Sequence, residues 1–159
     1  MAGHERDFLL QRVQPAMVGL IDGSLSTLAP IFSVALISHK PFYAFVAGLA
    51  TSIGAGISMA FSEGLSDTGE LTGRGSPVIR GGITGIGTFI GGILHSLPFL
   101  IPTYHVALVT AFIVVTLELI GLAVLRSRFF STSFTTSLAA VSLAGAVIVA
   151  VSAAIGATA

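Results

Sequence analysis

Apolar residues fall in five long runs, at about 13–38, 42–65, 79–101, 104–125 and 131–157, and most polar residues lie in the short links between them. A helix needs roughly 20 apolar residues to cross the hydrocarbon of a bilayer, and each run is long enough. The pattern predicts an all-α polytopic membrane protein with five transmembrane helices. Residues 1–12 read as a short N-terminal segment and 13–159 as one five-helix domain. The first run exceeds the roughly 7–15 residues of a signal-peptide core and is followed by no small-x-small cleavage site, so it is expected to remain as a span.

Composition agrees with this reading. Of 159 residues, 53% are hydrophobic and 9% charged, with a mean hydropathy of +0.98. Soluble domains carry about 25% charged residues. There is no cysteine, which excludes disulfides and thiolate metal sites. The formal net charge is zero, so nothing in the composition suggests a nucleic-acid partner. No nucleophile-elbow pattern and no Walker A motif are present, so an enzyme or a nucleotide-driven pump is not expected.

The basic residues are uneven. Arg6 and Arg12 precede the first run, Arg74 and Arg80 lie between the second and third, and Arg126 and Arg128 between the fourth and fifth. Five spans put all six on one face of the membrane, leaving only Lys40 on the other. The positive-inside rule then predicts a cytoplasmic N-terminus and an outer C-terminus. Tyr43 and Tyr104 fall at the predicted outer interface, where aromatic belts form.

Against this background the carboxylates carry the chemistry. Asp22, Glu63 and Glu118 lie within or at the edge of apolar runs. Such a group costs on the order of 3 kcal/mol at the bilayer centre and persists only where it meets protein, water or a cation. At 1.5 Å per residue, Asp22, Met59 and Glu118 each lie roughly 10–14 Å inside the arginine-rich face. If the second helix continues past the membrane, Met59, Glu63, Asp67 and Glu70 share a stripe of about 80°. Carboxylates on that stripe would collect a cation, and the Met59 thioether would favour borderline transition metals. These six residues are the candidate metal ligands. Asp22, Glu63 and His95 are the candidates for proton coupling.

Other roles stay open at this stage. Glu63, Asp67 and Glu70 also fit a solvated helix end paired with Arg74 and Arg80. Met59 fits packing, and Glu118 fits a hydrogen bond to a neighbouring helix. His95 is expected near the outer end of the third span, as a helix-end histidine or as an exit-side proton or metal station. The pairs Gly81/Gly85 and Gly87/Gly91 have G-x-x-x-G spacing and predict close helix packing, or a backbone-thin wall along a path. Pro30 predicts a bend one to two turns beyond Asp22, because Ser26 loses a donor. Five helices are few for a closed pathway, which favours a symmetric dimer.

The same residues resemble the vacuolar iron transporter family. The pieces are Gly19-Leu-Ile-Asp22-Gly-Ser-Leu-Ser-Thr27, Ala47-Gly-Leu-Ala and Gly54-Ala-Gly-Ile-Ser-Met59-Ala. Ser58-Met-Ala-Phe-Ser-Glu63-Gly-Leu-Ser-Asp67, Leu71-Thr-Gly-Arg-Gly-Ser-Pro77, Arg80-Gly81 and His95-Ser-Leu-Pro-Phe-Leu-Ile101 are most similar to the transporter domain of its membrane-bound ferritin A branch. The resemblance implies a five-helix homodimer whose first helices line a central path. It also implies export of ferrous iron, or related divalent metals, in exchange for protons. Asp22, Met59 and Glu63 match the family's positions. Thr51 stands where plant-type members have glutamate, and their glutamate-rich insert is absent between the second and third spans. About twelve residues precede the first span, where the branch has a ferritin-like domain. The resemblance therefore leaves iron capture to Glu63, Asp67 and Glu70 or to a separate ferritin-like protein.

The sequence thus predicts a proton-coupled exporter of Fe2+, or of Mn2+ or Co2+, in the cell membrane. Metal is its cargo, and no prosthetic group is expected. A non-transporting anchor or assembly subunit of the same fold, and a passive cation channel, are the alternatives.

Overall fold

The computed structural model describes residues 3–156, and the regular structure among them is entirely helical. Helix α1 (Gly3–Phe8) passes through a π-helical stretch, Leu9–Val13, into α2 (Gln14–Ser26) and α3 (Leu28–Ser38). These are followed by α4 (Pro41–Ser66), α5 (Pro77–Leu94), α6 (Tyr104–Phe129) and α7 (Phe134–Gly156). Five stretches are long and apolar enough to cross a membrane: Gly3–Ser38, Pro41–Ser66, Pro77–Leu94, Tyr104–Phe129 and Phe134–Ser152. Their number and order match the hydropathy pattern. Residues 3–12 of the expected N-terminal segment are helical and run on into the first span. The outermost positions of that segment and of the fifth span, 1–2 and 157–159, lie outside the described residues.

The first span breaks at Thr27, between α2 and α3. Pro30 has no N–H to offer the Ser26 carbonyl, so the ladder fails where the sequence predicts it. The Thr27 hydroxyl donates to the Gly23 carbonyl at 2.8 Å and supports the break.

Helix α5 lies between α2 and α4, and its two glycine pairs serve different neighbours. Cβ atoms at Gly81 and Gly85 would come within 2.5 Å of the Ala60 carbonyl and 2.6 Å of the Gly56 carbonyl on α4. Cβ atoms at Gly87 and Gly91 would come within 3.0 Å of the Ala16 carbonyl and 2.6 Å of the Leu20 carbonyl on α2. From the α2 side, Gly19 and Gly23 press on the Thr84 and Thr88 carbonyls. Small residues at this spacing let backbones touch in lipid, where no hydrophobic effect drives helices together. The glycines are thus used for packing. The register also shows that α5 runs parallel to α2 and antiparallel to α4.

The third span is shorter than its apolar run. Helix α5 ends at Leu94, and Leu97–Leu100 forms one 3-10 turn before the chain rises to Tyr104. Pro98 disfavours helix in the preceding residue and supplies no N–H to Leu94. The turn packs inward: Phe99 is fully buried and meets Phe32 edge-on at 6.1 Å, and Phe32 lies 4.8 Å from Phe112. His95 and Ser96 are fully buried, with Ser96 against Gly48, two turns into α4. His95 therefore lies inside the bundle and not at its outer rim.

The arginine-bearing links share one end of the bundle. Gln11 donates to the Gly73 carbonyl at 3.3 Å, and Arg12 shares a groove with Leu125 and Phe129. At the opposite end, Lys40 stands 5.2 Å over the Tyr43 ring, and the His39 ring is 5.0 Å from Tyr104.

Candidate functional site

Helix α5 packs against the segments of α2 and α4 that carry Asp22 and Met59, and its contacts offset the two positions by about 7.5 Å along the axis, five residues at 1.5 Å each. Its Thr84–Thr88 turn touches Gly19 and Gly23 on α2, which bracket Asp22. Its Gly85 touches Gly56 and Ala60 on α4, which bracket Met59. Each candidate sits one residue before a position facing α5. Because α2 runs parallel to α5 and α4 antiparallel, that step turns both side chains to the same side of α5. The side is open in the protomer: Asp22 and Met59 are half-buried, and Ser26, Gly54 and Ser58 beside them are exposed. The Asp22 carboxylate makes no hydrogen bond or ion pair among the described residues. Thr51, on the same line of α4 as Met59, donates to its own Ala47 carbonyl at 2.7 Å.

The expected acidic stripe does not continue as a helix. Helix α4 ends at Ser66, and Asp67 is extended, so Asp67 and Glu70 lie in the link and only Met59 and Glu63 share the helical line. Gly69, Gly73 and Gly75 all have positive φ and turn this link back onto α5. There Glu63 and Asp67 meet arginine. Arg80, fully buried, donates from Nε to Glu63 Oε1 at 2.9 Å and from Nη2 to the Asp67 backbone carbonyl at 3.3 Å, and its Nη2 is ion-paired with Asp67 Oδ2 at 3.2 Å. Its Nη1 reaches the Gly75 carbonyl at 3.1 Å. Arg74 reaches the same two carboxylates at 2.6 and 3.1 Å. Two carboxylates and two guanidiniums balance, so this cluster presents no surplus negative charge to a cation. Partial burial pushes the Asp67 carboxyl up. The Gly69 N–H, the Thr72 hydroxyl, Arg80 and Arg74 outweigh that effect and hold it below its ordinary value. Glu70 is exposed.

Glu118 belongs to a different cluster. Its Oε2 lies 2.8 Å from His95 Nδ1, and His95 Nε2 lies 2.8 Å from the Thr27 hydroxyl. Thr27 is five residues beyond Asp22, about 7.5 Å further along the helix and about 140° around it. Glu118 and His95 therefore do not converge with Asp22 and Met59, although their depth alone suggests that Glu118 should. Among the described residues, Glu118 Oε1 is buried without a hydrogen-bond partner. Sequence reasoning missed Thr27 as the third member.

Among the described residues, no three His, Asp or Glu side chains form a group that could hold a metal ion. The fold defines a helical protein with five candidate membrane spans, as an integral membrane protein requires. No family model matches the chain, and neither a curated protein nor a solved structure does.

Proposed function

We propose that this chain is one protomer of a two-fold homodimeric exporter that exchanges a divalent transition metal for protons, with Fe2+ as the leading cargo. The observation that carries this reading is the placement of Asp22 and Met59 on the same uncovered side of α2 and α4. A carboxylate left facing lipid is costly, so this face needs a cover. A second copy is the simplest one, because it brings its own Asp22 and Met59 to the axis. Two carboxylates and two thioethers offer charge for a dication and sulfur for a borderline metal. One protomer supplies only half of that set.

Protons and metal compete for the same Asp22 oxygens, so metal arrival releases protons and protonation releases metal. An inward proton gradient then drives metal out without a nucleotide. The positive-inside rule gives the orientation, with the arginine-bearing end and the N-terminus in the cytoplasm, in the cell membrane. The neutralised cluster of Glu63, Asp67, Arg74 and Arg80 stands at the cytoplasmic mouth in this reading, and exposed Glu70 is the remaining carboxylate at the entry.

Reconstitution in liposomes tests this. Metal uptake should depend on a pH gradient, move protons the other way and require Asp22. Membrane insertion without metal-dependent proton movement would favour the anchor, and metal leakage without proton movement would favour the channel.

A further inference from the structure

The hydrogens in the buried Glu118–His95–Thr27 cluster have a forced direction. The Thr27 hydroxyl has one hydrogen, and the Gly23 carbonyl, 2.8 Å away, can only accept it. The hydroxyl must then accept from His95, whose Nε2 lies 2.8 Å from it, so His95 carries its hydrogen on Nε2. On the other side of the ring, two bare lone pairs cannot face each other at the 2.8 Å between Nδ1 and Glu118 Oε2. One proton lies between them, on either atom. The chain of donors runs from that proton through the imidazole and the hydroxyl to the Gly23 carbonyl.

This chain ends at the one break in the first span. It ties three separate elements together: the turn after α5, the middle of α6, and the α2–α3 junction. His95 is fully buried, so water does not compete for these bonds. We propose that Glu118, His95 and Thr27 form a directional latch that fixes the α2–α3 break, and that Glu118 and His95 are positioning residues for the helix carrying Asp22. The link to transport rests on the reading above, whereas the latch rests on geometry alone.

The direction of the bonds gives an unusual expectation for Glu118→Gln. An amide N–H can donate to His95 Nδ1 and keep the hydrogen on Nε2. The amide oxygen replaces Oε1, which already lacks a partner. Glu118→Gln should keep the latch, and Glu118→Leu should lose it. Thr27→Ser should keep it, and Thr27→Val, of nearly equal shape, should lose it.

Amide hydrogen exchange over residues 27–34, in the full chain in lipid nanodiscs, reads the latch without any transport. Exchange should rise about tenfold in Thr27→Val and Glu118→Leu, the scale of one lost buried hydrogen bond, and stay within about twofold in Thr27→Ser and Glu118→Gln. Wild-type exchange in Thr27→Val, or equal acceleration in Glu118→Gln and Glu118→Leu, would overturn the proposal. In liposomes, Thr27→Val should lower the maximal rate of metal uptake more than it changes KM, with Glu118→Gln close to wild type. Loss of uptake in Glu118→Gln with exchange unchanged would overturn the positioning role, because charge or proton release at Glu118 would then be required. Intact exchange effects with no uptake in the wild type or any variant would refute transport and leave the latch standing.

Discussion

Arg80, fully buried, donates its Nε–H to Glu63 Oε1 at 2.9 Å, across the start of α5 and the end of α4. The pair fastens the two helices where their glycine packing ends, and Arg74 completes it from the link. A charge in this position is tolerated only while its partners remain.

Removing one partner should therefore be costly. Arg80→Met leaves Glu63 with Arg74 alone and should destabilise the protein by about 3 kcal/mol, the usual scale for breaking a buried pair. Adding Glu63→Leu should recover much of that loss. Denaturant unfolding in detergent measures both. A single variant as stable as wild type would show that the pair is idle.

Close helix contact should be equally selective. A Cβ at Gly23 would strike the Thr88 carbonyl and the backbone N–H of Gly92, whereas a Cβ at Gly82 meets nothing within 4 Å. Gly23→Ala should cost about 1–3 kcal/mol or more, and Gly82→Ala should be neutral or mildly stabilising. Thermal unfolding of the two variants separates packing from a general effect of alanine.

The link should loosen in acid. Asp67's carboxyl is held below its ordinary value of 3.8, so its ionised form favours the folded link. That stability is complete above the ordinary value and is lost as pH falls through the lower folded one. The protection of residues 67–76 against hydrogen exchange, taken relative to the intrinsic rate at each pH, should fall below about pH 4 in the wild type. Asp67→Asn should be weakly protected at every pH. A flat wild-type profile would contradict the bonding around Asp67.

Selectivity should depend on sulfur. Met59→Leu keeps most of the volume and removes the thioether, so the preference for Fe2+ over Mg2+ should fall, with less effect on overall rate. An unchanged competition ratio would reduce Met59 to packing.

The number and order of the spans are legible because each apolar run exceeds membrane thickness. The bend at Thr27 is legible from Pro30, and the pairing of Glu63 and Asp67 with Arg74 and Arg80 is one of the two readings their spacing allows. The end of α5 is hidden from hydropathy, since Leu97, Phe99, Leu100 and Ile101 continue the apolar run while Pro98 ends the helix. That hidden stop moves His95 from the rim to the interior, so its pairing with Glu118, 23 residues away, has no local signature. Extending the acidic stripe past Ser66 fails for the opposite reason. Gly69, Gly73 and Gly75 favour a turning link, and spacing alone treats them as neutral.

In the proposed exporter, Asp22 exchanges metal for protons on a face completed by a second copy. The most direct test of that exchange is Fe2+ uptake into liposomes with an acidic lumen, with lumenal pH followed in wild type and Asp22→Asn. Wild type should take up metal while the lumen becomes more alkaline, and Asp22→Asn, folded and inserted, should lose both by at least about tenfold, the scale of a lost charged ligand. Equal metal-driven proton release in the two proteins, or none in the wild type, would contradict the account.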